Sequence, residues 1–177
     1  MIWNLIGTLV LGVATASVVF ILCRLLGRPP PRWLLPAAAG LAMLGFHIWT
    51  DYSWFARTAA ELPDHVVVAQ GYPSSNPLQP WTLVVPRIDR FSAVDTSRIR
   101  HNPEVPDMAM AVVYLVARWN PTIEANQLYD CATPRRADVG VDTQMDAEGR
   151  PVDPDWVALP ADDPVRRTVC DASRGQS

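Results

Sequence analysis

Two long uncharged runs open the chain and predict a pair of membrane-spanning helices. Residues 2–23 contain no charged side chain. As a helix they would extend about 33 Å, more than the roughly 30 Å of a bilayer hydrocarbon core. Residues 33–50 form a second uncharged run of about 27 Å, with Pro36 early enough for a first helical turn. Residues 24–32 hold three Arg and three consecutive Pro, so they predict a tight reversal. The pattern predicts a transmembrane helical hairpin.

From about residue 63 the pattern changes to short runs rich in Val, Trp, Tyr and Phe, which favour β-strands. Turn residues separate them, clustered at 72–77, 100–107 and 119–122. Residues 108–117 would also suit a helix capped by Asp107, but their β-branched residues favour a central strand. We therefore expect an antiparallel meander whose strands cover residues 65–70, 81–85, 90–94, 108–119 and 123–131.

Two further helical segments complete the predicted fold. Residues 52–62 are expected to extend the second membrane helix into the outer domain. Asp163 followed by Pro164 is typical of a helix start and predicts a short C-terminal helix that ends near Cys170. The predicted fold class is a membrane-anchored α+β protein, with the helical hairpin in residues 1–55 and a small antiparallel β domain with one disulfide in residues 56–177.

The charge distribution predicts the orientation in the membrane. All 18 acidic residues lie at Asp51 or later, and three Arg flank the reversal between the helices. Since cytoplasmic loops retain basic residues, loop 24–32 is expected in the cytoplasm and both chain ends outside. All 15 basic residues are Arg, a bias typical of a GC-rich bacterial genome. We therefore expect a bacterial cytoplasmic (inner) membrane protein whose N-terminus and C-terminal domain are periplasmic.

Processing signals and small-residue patterns refine the membrane part. Residues 1–4 lack the basic start of a secretory signal peptide, and Leu22 before Cys23 does not suit lipoprotein processing, so the first helix is expected to be retained. Small residues recur at helical spacing and favour close helix packing, either within the hairpin or against a partner subunit. They are Thr8, Gly12 and Ala16 on the first helix and Ala38, Ala42 and Gly45 on the second. His47, near the outer end of the second run, is interpreted as an interfacial residue.

Cys131 and Cys170 are the only cysteines outside the predicted membrane helices. In an oxidising compartment such a pair favours a disulfide. The alternative is a redox or metal pair, but there is no C-x-x-C motif and no His between them. We therefore predict that Cys131 and Cys170 are bonded.

Motifs for catalysis, cofactors and nucleic acids were sought along the whole sequence. No Walker loop, G-x-G-x-x-G, H-E-x-x-H or G-x-S-x-G motif occurs, so no cofactor and no metal site is predicted. A calcium-loop frame starting at Asp142 lacks the required Gly and ends at Asp153 instead of Glu, which favours a solvated acidic loop. The pair Arg135 and Arg136 is too small a basic patch for nucleic acid, and no nucleic-acid partner is expected.

Two functions from different classes remain open. The first is a non-catalytic accessory, assembly or scaffold subunit that lies in the lipid bilayer and binds another membrane or periplasmic protein. The second is a membrane-anchored periplasmic enzyme, such as a hydrolase, whose site is assembled only in the fold, for example from His65 or His101 with Asp89 or Asp95. A deep pocket that holds such a pair would favour the enzyme, and an open apolar surface would favour the scaffold.

Overall fold

The computed structural model describes residues 2–102, 105–140, 143–144, 146, 151–152 and 154–175. The chain divides into two compact units, Met1–Trp54 and Phe55–Ser177, which are taken separately below. The protein is of the α+β class, with helices first, an antiparallel sheet and a C-terminal helix. This confirms the predicted fold class apart from its membrane topology.

The first unit contains helix α1 (Ile2–Leu25) and most of helix α2 (Leu34–Ala60). The reversal between them begins at Gly27, whose φ of 69° is accessible to glycine at little cost, and continues through the consecutive prolines. Within the described residues only one helix is long and apolar enough to cross a membrane, over Leu5–Leu25 with a mean hydropathy of 2.5. The predicted second span lacks this support, because His47 and Asp51 lower the apolar character of α2.

Packing between the helices of the first unit centres on Gly12. Gly12 is buried, and a Cβ added there would overlap the side chain of Met43 on α2. Gly45, by contrast, is exposed and has open space where its Cβ would lie. The predicted small residues therefore support packing within the hairpin at Gly12, but Gly45 does not contribute to it. In the second half of α2, Nε2 of His47 lies 3.7 Å from Oδ2 of the buried Asp51.

The second unit is built on a six-stranded antiparallel sheet in which every strand pairs with its neighbour in sequence. This confirms the predicted antiparallel arrangement for four of the five expected strands, and the choice of strand over helix for residues 108–117. The last two strands, which cover residues 135–139 and 156–158, were not predicted. The strands are β1 (Val66–Ser74), β2 (Arg87–Asn102), β3 (Val105–Ala117), β4 (Ile123–Asp130), β5 (Arg135–Val139) and β6 (Trp156–Ala158). Strand β2 extends into the turn predicted at 100–107, where its pairing with β3 shifts register after Asp95.

One predicted strand is a helix in the structure. Residues 81–85 form no strand; instead a short helix α3 (Trp81–Val84) lies in the connection between β1 and β2. Pro80 has helical dihedral angles, and the buried Oγ1 of Thr82 accepts a hydrogen bond from the backbone N–H of Asn76 at 2.8 Å. Local turn chemistry thus overrides the strand propensity of the Val-rich run. The β1–β2 connection and the β3–β4 connection lie at the same end of the sheet. We call this end the α3 end.

The two faces of the sheet are covered differently. One face packs against helix α4 (Pro164–Arg174), and their shared core is formed by Val94, Ile99, Ala109, Ala111, Val113, Tyr129, Val165 and Val169. Phe91 lies on the other face by strand alternation, and its ring makes an edge contact with Phe55 at 5.4 Å. The core therefore lies between α4 and the sheet, away from the α3 end.

Helix α4 confirms the predicted C-terminal helix and its start. The side chain of Asp163 accepts a hydrogen bond from the backbone N–H of Arg166 at 2.8 Å, and Pro164 occupies the first turn. A disulfide joins Cys170 of this helix to Cys131, the residue after β4, with a Cα–Cα distance of 5.8 Å. The bond holds α4 to the sheet at the end of β4.

Candidate functional site

An open groove of about 600 Å³ lies at the α3 end of the sheet. Ser92, Leu115 and Ile123 are paired in sequence across β2, β3 and β4, so they share one face. Val94 and Val113 lie two positions further along the same strands and therefore on the same face, and both belong to the core shared with α4. The groove is thus the part of this face that the C-terminal helix leaves uncovered.

The groove combines an apolar floor with a few polar groups. Leu115 is 39% exposed and Ile123 is 57% exposed, so both present apolar surface to solvent. The hydroxyl groups of Tyr72 and Ser92 form a hydrogen bond of 3.1 Å, and Ser92 is almost completely buried. Arg90 lies in the groove wall, is exposed, and has no ion-pair partner within the described part of the chain. Such an arrangement can hold an apolar segment and one acidic group beside it.

A second groove, of about 570 Å³, is lined by Arg98, Arg100, Met110, Val112, Glu124 and Asn126, among other residues. Its polar side depends on the buried Asp95, which accepts hydrogen bonds from the backbone N–H of Ser97 at 3.0 Å and from Nε of Arg98 at 2.7 Å. Burial alone would raise the pKa of Asp95, but these bonds outweigh it and hold the pKa below its usual value. Arg98 also donates to Tyr114. These contacts brace the register shift in β2.

Asp130 forms a second buried carboxylate centre, beside the disulfide. It accepts hydrogen bonds from the backbone N–H groups of Ala132 and Thr133, both at 2.9 Å, and from Nε of Arg135 at 2.8 Å. Burial alone would raise the pKa of Asp130, but these donors together keep it below its usual value. The carboxylate orders the turn after β4 and so fixes the position of Cys131.

A chain of polar side chains crosses the sheet next to this turn. The buried hydroxyl of Tyr129 donates to Oε1 of Gln127 at 2.6 Å, and Nε2 of Gln127 donates to Oδ1 of Asp138 at 2.7 Å. Burial raises the pKa of Tyr129 well above its usual value, so it remains a neutral donor. The chain satisfies polar groups that the α4 core would otherwise leave without partners.

The histidine–aspartate pairs proposed for an enzyme form no ion pair in the described part of the chain, although the register of β1 and β2 places His65 next to Asp95. Asp89 forms an ion pair with Arg87 at 2.8 Å, and Asp95 is occupied by Ser97 and Arg98. Among the residues that the structure describes, neither His65 nor His101 forms an ion pair with either Asp. Neither histidine lines one of the two grooves.

Metal chemistry has no support in the described ranges. No group of three His, Cys, Asp or Glu side chains in those ranges is arranged to hold a metal ion. Of the acidic loop considered as a calcium site, Asp142, Glu148 and Asp153 lie outside the described residues.

Sequence reasoning did not find the groove. Tyr72 was placed in a predicted turn, and Arg90 and Ser92 in a predicted strand with no assigned role. The alternation of Arg90 and Ser92 with the buried Phe91 is the one signal that could have indicated a solvent-facing strand surface. The sequence pattern does not show how far α4 extends over the sheet, and this extent determines how much of the strand surface stays uncovered.

No family model, curated protein or solved structure matches this chain. The functional interpretation therefore depends on the geometry of the second unit and on the helices that precede it. Of the two grooves, the one at the α3 end is the more suitable for a partner, because its floor is apolar and its arginine is uncommitted.

Proposed function

We propose that this protein is an anchored accessory, assembly or scaffold subunit of the bacterial cytoplasmic membrane, and that its outer unit binds another envelope protein. The observation that carries the proposal is the open apolar groove at the α3 end. Its floor offers Leu115 and Ile123, and its polar side chains are the hydroxyls of Tyr72 and Ser92, Arg90 and the amide of Asn120. The groove is suited to holding a segment of another chain.

The membrane part of the proposal retains both helices as spans. Helix α1 has the length and composition to cross a bilayer, and residues 34–50 of α2 contain no Asp, Glu, Lys or Arg. The three Arg between the helices favour a cytoplasmic connector, which leaves the outer unit in the periplasm. The periplasm is oxidising, and this agrees with a disulfide between Cys131 and Cys170.

The groove also suggests the chemistry of the bound segment. Apolar side chains of the partner would cover Leu115 and Ile123, where removal of apolar surface from water supplies the driving force. Arg90 would pair with a carboxylate, since it has a planar fork of donors and no acidic partner in the described ranges. The hydroxyls of Tyr72 and Ser92 would bond backbone groups of the segment. We therefore expect a partner segment with an acidic residue beside apolar ones.

The test is an Ile123→Arg substitution in the full chain, with Val157→Arg as a matched control. Both side chains are exposed, Ile123 at 57% and Val157 at 43%, so neither change should disturb the fold. Affinity purification from membranes in a mild detergent, followed by mass spectrometry, measures which proteins co-purify and in what ratio. We expect one envelope protein at near-equal ratio with the wild type and with Val157→Arg, and its loss with Ile123→Arg.

Two outcomes would contradict the proposal in different ways. If the partner is retained by Ile123→Arg, the groove is not the docking surface. If no protein co-purifies at a constant ratio with the wild type, the scaffold function itself is wrong.

A further inference from the structure

Exposed apolar side chains gather at the α3 end of the sheet. Within the described part of the second unit, ten large apolar side chains are exposed, and seven of them lie at this end. Leu115 and Ile123 belong to the groove. The other five form a surface that we call the apolar crown: Leu78, Leu83, Val84, Val85 and Trp119. Clustering of this kind marks an interaction surface, because single exposed apolar residues are normally scattered.

The crown is held in shape by hydrogen bonds beneath it. Thr82 is fully buried and donates from Oγ1 to the carbonyl of Gln79 at 2.8 Å while it accepts from the N–H of Asn76. The side chain of Gln79 in turn accepts from Arg87 at 2.6 Å. The connection therefore directs its polar groups inward, whereas Leu78 and Val84 remain 88% and 83% exposed. These aliphatic side chains are therefore exposed on a segment whose backbone is held by hydrogen bonds.

The charges around the crown fit a surface of phospholipids. Residues 66–86 contain no charged side chain at all. Beside the crown, Arg87, Arg90 and Arg118 stand against Asp89 and Glu124. Arg87 is only 13% exposed and pairs with Asp89, so Arg90 and Arg118 supply the local positive charge. Residues after Thr50 as a whole carry 18 acids and 12 Arg, so this positive edge is local. An apolar tip bordered by Arg is the pattern of a protein surface that enters the bilayer interface and meets lipid phosphates.

The path of the chain places the attachment point of the outer unit at the same end. Phe55 is the first residue of this unit and contacts Phe91, whose strand partners Gly71 and Val116 lie near the α3 end. Strand β1 begins at the opposite end, so residues 56–65 lead away from the α3 end. In the sequence, Phe55 comes five positions after Thr50, where the uncharged run ends. The chain thus reaches the outer unit beside the crown.

We propose that the apolar crown inserts into the interface of the bilayer that anchors the protein, with Arg90 and Arg118 near the lipid phosphates. The inference rests on the membrane anchoring in the proposed function and extends it, because it assigns a lipid contact to the outer unit. Lipid is favoured over a protein as the occupant because the crown is almost wholly aliphatic and adjoins the chain's own entry point. The groove would then open at the membrane surface, where a segment of a membrane-bound partner is within reach.

The experiment uses the full chain with Cys23→Ala, reconstituted in vesicles of phosphatidylcholine and phosphatidylglycerol. A single fluorophore is attached at Val84→Cys, with Leu78→Cys as a second crown position and Val157→Cys as the control. Quenching is measured with aqueous iodide and with lipids that carry a nitroxide quencher in the acyl chain. We expect the crown labels to be protected from iodide several-fold relative to the control and to be quenched by the lipid-borne nitroxide.

Extraction of the same vesicles with alkaline carbonate separates this inference from the proposed function. If the protein stays with the membrane while iodide quenches both crown labels as strongly as the control, the crown is not in lipid and only the present inference fails. If carbonate releases the protein, the anchoring is wrong and both fail. Crown labels that are protected in native membranes but accessible in the vesicles would show that a protein covers the crown, which overturns the lipid assignment.

Discussion

Replacement of Cys131 or Cys170 by Ser should lower the free energy of unfolding of the outer unit by about 3–4 kcal/mol. The disulfide joins residues 39 apart in sequence. In the chain-entropy model, closing a loop of that length restricts the unfolded chain by about 4 kcal/mol at 25 °C. Val165 and Val169 belong to the core shared with the sheet and are not changed by the substitutions, so we expect α4 to keep its apolar contacts and the loss not to exceed this value by much.

The measurement is guanidinium unfolding of the full chain in detergent micelles, followed by tryptophan fluorescence and circular dichroism. Four variants are compared with the wild type: Cys131→Ser, Cys170→Ser, the double variant, and Cys23→Ser as a control for loss of a thiol. Because a single bond is lost in each case, the double variant should cost about as much as either single one. Cys23→Ser should leave the transition of the outer unit unchanged, since this cysteine is free and lies in α1.

Two results would refute this reasoning. If the losses in unfolding free energy of the two single variants add up in the double variant, each side chain contributes by itself. Packing of the buried Cys170 would be such a contribution. Equal stability of the wild type with and without reductant would show that the bond does not restrict the unfolded chain.

Two further predictions concern the turn after β4 and the membrane topology. Asp130→Asn should cost about 1–3 kcal/mol at neutral pH because it removes charge-assisted bonds to Arg135 and the turn. Since folding lowers the pKa of Asp130, its contribution is present above the unfolded value near 3.9 and is lost as pH falls below about 4. The difference from wild type in denaturant titrations should shrink in acid, and the exposed Asp171→Asn should show neither effect. A reporter active only outside the cytoplasm should be active after Ser177 and inactive at Gly27; the opposite result would place the outer unit in the cytoplasm.

Most of the sheet could be predicted because the residue composition of each strand favours extended structure by itself. Residues 108–117 contain several Val, and Ala109, Ala111 and Val113 belong to the core shared with α4, so strand propensity and burial agree. The start of α4 could also be predicted, because Asp163 is a preferred N-cap residue and Pro164 is favoured in a first helical turn. The type of an element is predictable where the residues that determine it are neighbours in the sequence.

The errors come from features that depend on distant or side-chain-specific contacts. Residues 81–85 have strand propensity, but the hydroxyl of Thr82 finds acceptors and a donor in the preceding turn, which periodicity does not reveal. The groove depends on how far α4 extends over the sheet and on the meeting of Tyr72 with Ser92, twenty residues apart. Neither is encoded in a local motif.

The strictly sequential order of the sheet has a consequence for how the outer unit forms. Each strand finds its partner in the segment made just before it, so contact order is low and pairing from β1 to β4 can follow synthesis. Helix α4 and Cys170 follow all six strands in the sequence, so one face of the growing sheet stays uncovered until they are made. During that interval the newly made sheet is open to aggregation, and packing of α4 ends the exposure.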